Sequence, residues 1–290
     1  MADKELRAIF KNGSKTYFYS TMFFPREVKE DVFKLYAFVR TADDLVDSIP
    51  QRGRELEAMK ARFHAALAGR ETDDIVVSSF VELFKRKGFK KEWVDAFLCS
   101  MEMDLSTASY ETMDDLATYL YGSAEVVGLM MARIMDLPQE AYPYARLLGR
   151  AMQYINFIRD IDEDNSMGRS YFPREELRRF GLDDLREGTV RADPARFRRF
   201  ARAQLRTYKE WQNEAEEGYQ YIPRRYLVPI KTAADMYKFT ATSIYSRPLQ
   251  VFHKKIKPSV GRIVFGYSKN RICPLIKRPA PTPLGPDSDC

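Results

Sequence analysis

Histidine and cysteine are scarce in this chain of 290 residues: two histidines, His64 and His253, and three cysteines, Cys99, Cys273 and Cys290. Neither set has metal-ligand spacing, which argues against a zinc finger, a histidine metal centre or a Ser-His-Asp triad. Three cysteines cannot all pair within one chain, so a reducing compartment is expected. There is no glycine-rich phosphate loop and no ribonucleoprotein aromatic motif, so nucleotide and nucleic-acid binding have little behind them. No run approaches eighteen apolar residues, so no segment is expected to span a membrane. The N-terminal stretch MADKELRAIF lacks the apolar core of a signal peptide. No internal repeat is visible.

What is present is apolar mass and positive charge. The chain is 45% hydrophobic and 13% aromatic, enough for a substantial core in one large domain or at most two. A net charge of +6 points to anionic partners: phosphorylated substrates or acidic headgroups. Nearly every long segment carries helical periodicity. Helices are expected over 14–24, 26–48, 51–68, 74–87, 90–105, 115–135, 139–164, 194–218 and 223–246. Of these, 194–218 is so highly charged that a solvated outer face is expected. Gly122, Ser123, Ala124 and Gly128 cluster in 115–135, which suits either tight helix packing or a wall against which a long apolar ligand lies. Met101, Met103 and Asp104 end their helix in a position that could face a cavity. The Pro-rich end, 271–290, is expected to be a disordered tail.

Two acidic stripes interrupt this pattern. In 151–164 (AMQYINFIRDIDED), Asn156, Asp160 and Asp164 recur every fourth residue and so share a helix face, with Gln153 one turn earlier. In 36–47 (YAFVRTADDLVD), Asp43 and Asp47 repeat the Asp-x-x-x-Asp spacing, and Tyr36 and Arg40 occupy the turns below. These are the chain's only two such pairs. Asp43 and Asp47 continue an apolar face formed by Val32, Leu35 and Val39, where a solvated charge run would sit on the opposite side. Facing carboxylate pairs repel unless cations lie between them. Mg²⁺, a hard cation that prefers oxygen ligands and retains positions for phosphate, suits that place. Arg40 and Arg159 beside the pairs then complete a diphosphate site. Arg169, Tyr171 and Pro173 follow Gly168 in a loop placed to cover it. Ser14 suits either an N-cap or a hydroxyl donor to phosphate. Tyr17, at helical spacing with other aromatics, is consistent with ordinary core. From His253 to Lys277 a basic and apolar segment holds Lys254 and Lys255, which either reach the diphosphate or meet acidic headgroups.

These motifs, followed by Gly168–Pro173 (GRSYFP) and by the looser Tyr119–Met131 (YLYGSAEVVGLMM), resemble the squalene/phytoene synthase family of head-to-head prenyl synthases over about residues 14–255. The resemblance implies an all-α isoprenoid-synthase fold, a single helical domain (1–270) around a central cavity. It implies Mg²⁺, for which Mn²⁺ can substitute, on Asp43, Asp47, Asp160 and Asp164 with Asn156 assisting. It implies diphosphate contacts from Ser14, Tyr17, Arg40, Gln153 and Arg159, with Arg169 and Tyr171 closing over the site. Tyr36 and Tyr237 are implied near the reacting carbons. There are departures. Gly13 stands where the family often carries His, Glu125 follows Ala124 where Gly is usual, and Lys254 and Lys255 stand where Arg is usual. The implied reaction is a Mg²⁺-dependent condensation of two geranylgeranyl diphosphates, through a cyclopropyl diphosphate (prephytoene diphosphate), to phytoene. NADPH is not expected. The alternatives are a squalene or dehydrosqualene synthase using farnesyl diphosphate, or a non-catalytic membrane-associated protein of the same fold. Small Thr21, where an aromatic would shorten the cavity, favours the longer substrate. An apolar product implies a cytoplasmic protein on a membrane surface. Oligomeric state cannot be read from the sequence.

Overall fold

A computed structural model describes residues 2–272. Among these no β-strand forms; Ser109 and Ser170 make an isolated parallel bridge. The helices in chain order are α1 (Ala2–Gly13), α2 (Lys15–Thr21), α3 (Arg26–Asp47), α4 (Gly53–Leu67), α5 (Ile75–Lys87), α6 (Lys91–Ser106), α7 (Met113–Leu120) and α8 (Val126–Ile134). They continue with α9 (Tyr142–Arg159), α10 (Ile161–Ser166), α11 (Arg174–Arg179), α12 (Glu187–Ala192), α13 (Pro194–Glu217), α14 (Arg224–Ser246) and α15 (Val260–Ile272). Residues 271 and 272 of the expected tail close α15, and the rest of it lies outside the described residues.

Local chemistry sets several boundaries. Asp74 caps α5 by accepting from the amides of Val76 and Val77 at 3.0 Å each, and Gly88 ends it in the left-handed region. Thr112 and Asp115 form a reciprocal capping box at the start of α7. Asp193 caps α13 just before Pro194.

Three expectations need correction. The segment 115–135 is not one α-helix: a π-helical turn, Tyr121–Glu125, lies between α7 and α8. The acidic helix is also broken, since Asp160 leaves helical geometry (φ −103°, ψ 14°) between α9 and α10. Its hydrogen bonds still run on, from Asp160 N–H to the Asn156 carbonyl and from Asp164 N–H to the Asp160 carbonyl, so the stripe keeps its alignment. The charged helix α13 is not a solvated face. Phe197, Phe200, Ala201, Gln204, Leu205, Tyr208, Gln212 and Ala215 bury one side of it, packed mainly against α9. Its many arginines mask that stripe in composition but not in periodicity.

The small residues of 122–128 serve both uses left open for them. A β-carbon on Gly122 would lie 2.2 Å from the Ala96 carbonyl oxygen, and one on Gly128 2.1 Å from that of Ala145, so both permit close backbone packing. Ser123, Ala124 and Gly128 also line a long apolar cavity enclosed by α2, α3, the π-turn, α8, α9 and α14.

Candidate active site

The acidic stripes meet at the head of this cavity. Val39 on α3 and Asn156 on α9 line it one turn below Asp43 and Asp160 respectively, and Tyr36 and Gln153 line it two turns below them. Every one of these acids except Asp164 is matched to a cation. Arg40 donates to Asp43 at 2.7 Å and also pairs with Asp44. Arg159 grips Asp160 through two hydrogen bonds, and Lys255 lies 3.3 Å from the same carboxylate. Arg169 donates to Asp47 at 2.8 Å and to the Val46 carbonyl.

These groups perturb one another. Burial raises the pKa of Asp43, neighbouring Asp47 adds to it, and Arg40 opposes it. Burial likewise raises that of Asp164, with Asp160 and then Asp47 adding to the effect. The acids of α3 and α10 therefore face the same space. Burial works against the charge of Arg159, but the hydrogen bonds and the charge of Asp160, with Tyr237 and Tyr17, together outweigh it and keep the guanidinium protonated.

A buried network lies behind Arg169. Asp104 accepts from Tyr119 Oη at 2.7 Å and from Tyr171 Oη at 2.8 Å, and stands 3.8 Å from Arg169. Burial pushes its pKa up to about 6 against the pull of Arg169 and the two phenols. Tyr171 stacks on Phe157 with ring centroids 4.2 Å apart. Its ring is thus held between Phe157 and the Asp104 carboxylate. Arg169 itself is 6% exposed and ties its loop to the end of α3.

Tyr17 and Tyr36 line the cavity head, and Tyr237 on α14 packs beside Tyr17 at 5.5 Å between rings. Tyr36 stacks on Phe10 at 3.7 Å. Burial raises the pKa of all three phenols, so each stays neutral and keeps its proton.

Ser14 is the N-cap of α2, accepting from the Tyr17 amide at 3.3 Å. Gly13 beside it lies against α3: a β-carbon there would fall 2.8 Å from both Tyr36 Oη and Arg40 Cδ. That space is taken by Arg40 and Tyr36, which accounts for the glycine. Of the two lysines singled out, Lys255 reaches the acids while Lys254 is exposed. Lys257 belongs to the same basic segment, and its pKa falls through burial and through Lys255 and Arg159 nearby. The sequence marks Asp104 as a residue that could face the cavity and gives Tyr119 no role of its own. Neither has a local signal for the network, because their partners are distant in sequence.

Among the described residues no three acids converge tightly enough to clasp an ion as they stand. The donor set nevertheless fits a hard cation. Its oxygens are desolvated and mutually repelling, and the buried Asn156 Oδ1 has no hydrogen-bond partner.

The squalene/phytoene synthase profile matches residues 10–262. The chain belongs to the squalene/phytoene synthase family. Among its relatives, 15-cis-phytoene synthase of Synechococcus elongatus is 29% identical over 273 residues, 88% of this chain and 87% of that one. The 15-cis-phytoene synthase of Enterobacter agglomerans is 30% identical over 261 residues, 84% and 86% of the two chains. Among solved structures, a dehydrosqualene synthase superposes with a TM-score of 0.82 at 24% identity, covering 93% of this chain and 95% of its own. The fold is thus the all-α isoprenoid-synthase fold, and the protein is an enzyme of the prenyltransferase type.

Proposed function

We propose that this protein is a phytoene synthase, joining two geranylgeranyl diphosphates head to head through a cyclopropyl diphosphate to phytoene, with release of diphosphate. The observation that carries this reading is one apolar cavity, with no charged lining residue, opening at its head onto paired acids and cations. Along α9 the lining runs from Tyr144 to Asn156, roughly 18 Å of helix, which suits a long prenyl tail. Relatives named phytoene synthase, aligned over most of the chain, support the same reading.

Asp43, Asp47, Asp160 and Asp164, with Asn156, are the residues to hold Mg²⁺, which when bound offsets the charge of the departing diphosphate. Arg40, Arg159, Arg169, Lys255 and Lys257 supply the fixed positive charge around it. Gln153 and Ser14 offer neutral hydrogen bonds at the same end. The faces of Tyr17, Tyr36 and Tyr237 stabilise allylic cations without attacking them, because the phenols stay protonated. The cavity walls exclude water that would quench those cations. With no carboxylate in the lining, released diphosphate is the available proton acceptor. A wholly apolar product makes a membrane surface the place of work, and no helix of the described residues is long and apolar enough to cross one.

Product mass tests this. Geranylgeranyl diphosphate with Mg²⁺ and no NADPH should give a C40 hydrocarbon. Excess chelator, D43N or D160N should each lower turnover by about two orders of magnitude or more without unfolding the protein. A product made only from farnesyl diphosphate would move the enzyme to the squalene branch. That outcome has some support from a presqualene diphosphate synthase of Rhodopseudomonas palustris, 34% identical over 183 residues, 61% of this chain.

A further inference from the structure

Six large apolar side chains are strongly exposed among the described residues, and four of them, Val260, Val264, Phe265 and Ile272, lie on α15. Phe265 is 70% exposed and Ile272 81%. Val260, Val264 and Ile272 fall on one i, i+4 row, and Phe265 lies beside it, so they form one face. Four such residues on a helix of thirteen is not the scatter expected of an ordinary surface. The rims of this face are basic. Arg262, Lys269 and Arg271 lie on the helix, Lys254 and Lys257 lie just before it, and no acid occurs from His253 to Ile272.

The inner side of α15 lies against only α2 and α14 to any extent. Tyr267 stacks on Phe23, just past the end of α2, at 3.7 Å between ring centroids. The Arg262 guanidinium lies 4.0 Å from the ring centre of Phe239 on α14, and Asn270 Nδ2 donates to Asp235 at 2.8 Å. The two helices thus bridged are walls of the cavity. Tyr17, Ser20 and Thr21 line it from α2, and Pro229, Ile230 and Ala233 from α14. The same helix therefore covers a seam into the apolar cavity and presents an apolar, basic-rimmed face to the outside.

We propose that the outer face of α15 docks on an anionic bilayer, and that the seam beneath it, between α2 and α14, is the route by which long hydrocarbon passes between cavity and lipid. The occupant is a lipid surface because the patch combines side chains that insert with cations that meet headgroups. This deepens the proposed function, since an apolar product needs a path that avoids water.

Docking is measured without substrate, so it can fail independently of the reaction assignment. Full-length protein is co-sedimented with vesicles of phosphatidylglycerol and phosphatidylcholine, and with phosphatidylcholine alone. Binding should favour the anionic vesicles and weaken with salt. V264E/F265E should weaken it about tenfold or more, and K269E/R271E should remove most of the anionic preference. Turnover of detergent-dispersed substrate should stay near wild type in both, which also reports that they fold. Wild-type vesicle binding by V264E/F265E would overturn the docking. So would a shift from dimer to monomer in that variant with vesicle binding retained, because the face would then belong to a second copy of the chain. For the seam, F23C/Y267C in a background lacking the native cysteines is oxidised to tie α15 to α2. The tied protein should form product once and release it at least tenfold more slowly to vesicles, with recovery on reduction. Unchanged release from a protein shown to be crosslinked would overturn the route.

Discussion

Arg169 stands between two carboxylates, 2.8 Å from Asp47 and 3.8 Å from Asp104. Asp104 is buried and already accepts from two phenols, so it is fixed, whereas Asp47 ends a helix and is 35% exposed. Asp104 therefore anchors the guanidinium from behind while its front meets the site. Removing that charge should loosen Arg169 more than it loosens the fold, because the tyrosines can still bond an amide. D104N is expected to lower kcat about ten- to a hundredfold with a modest change in KM. Y171F, which deletes one support but keeps the Phe157 stack, should cost about tenfold or less. Thermal unfolding of both should stay within a few degrees of wild type. A D104N enzyme with unchanged kcat would remove Asp104 from the site, and one that fails to fold would make its role structural. The sequence offers Asp104, Arg169 and Tyr171 singly but not the network that joins them, since Tyr119 and Tyr171 lie 15 and 67 residues from Asp104. The two pairs of acids were legible as pairs because their spacing is local. Arg159 and Arg40 likewise sit within one turn of the acids they pair with.

At the scale of elements, helices were readable where caps and periodicity agree, and least where backbone geometry departs from α. The π-turn at Tyr121–Glu125 has no compositional signature, and neither does the break at Asp160. The π-turn is nevertheless held by a side chain that already stood out, Glu125, in place of the family's usual Gly. Glu125 is 1% exposed and accepts from Arg146 at 2.8 Å and Arg150 at 2.7 Å, both on α9. This clamp fixes the wall carrying Ser123 and Ala124 against α9. Its energetics are asymmetric. Arg146 and Arg150 are 45% and 29% exposed and can turn to water when Glu125 is removed, whereas Glu125 has no such escape. E125A should therefore cost only about 1–2 kcal/mol in denaturant unfolding, while R146A/R150A, which strands the carboxylate, should cost about 3–5 kcal/mol. Equal losses would mean that packing, not charge, holds the turn. The opposite lesson comes from α13, whose arginines suggested a solvated face. Its apolar residues at 197, 200, 201, 205, 208 and 215 were there to be counted, and they carry the contact with α9.

For the whole molecule, the cavity decides what the enzyme makes, and its dimensions follow from how several helices pack rather than from any one segment. The resemblance could place Thr21 at the cavity, but not name the side chains it shares that wall with. Thr21 is 5% exposed and lines the cavity from α2, in company with Val32 and Leu35 of α3 and Met131 and Met135 at and after the end of α8. A phenyl group there adds volume to an enclosed, close-packed wall, and a packed interior does not yield room cheaply. With the diphosphate held among the ion pairs as proposed, a tail that no longer fits cannot slide outward to compensate. Shortening of the usable cavity then falls on the far end of the prenyl chain, where a longer substrate loses contact or clashes and a shorter one does not. Each methylene gained or lost in such a pocket is worth about 1–3 kcal/mol in discrimination. T21F is accordingly expected to move the ratio of kcat/KM for geranylgeranyl over farnesyl diphosphate by at least about tenfold toward farnesyl, mainly by losing activity with the longer substrate. T21A should leave the ratio nearly unchanged, because it adds room the tail does not need. If T21F lowers both activities equally, the obstruction acts at the head of the cavity, and tail length is measured elsewhere along its walls.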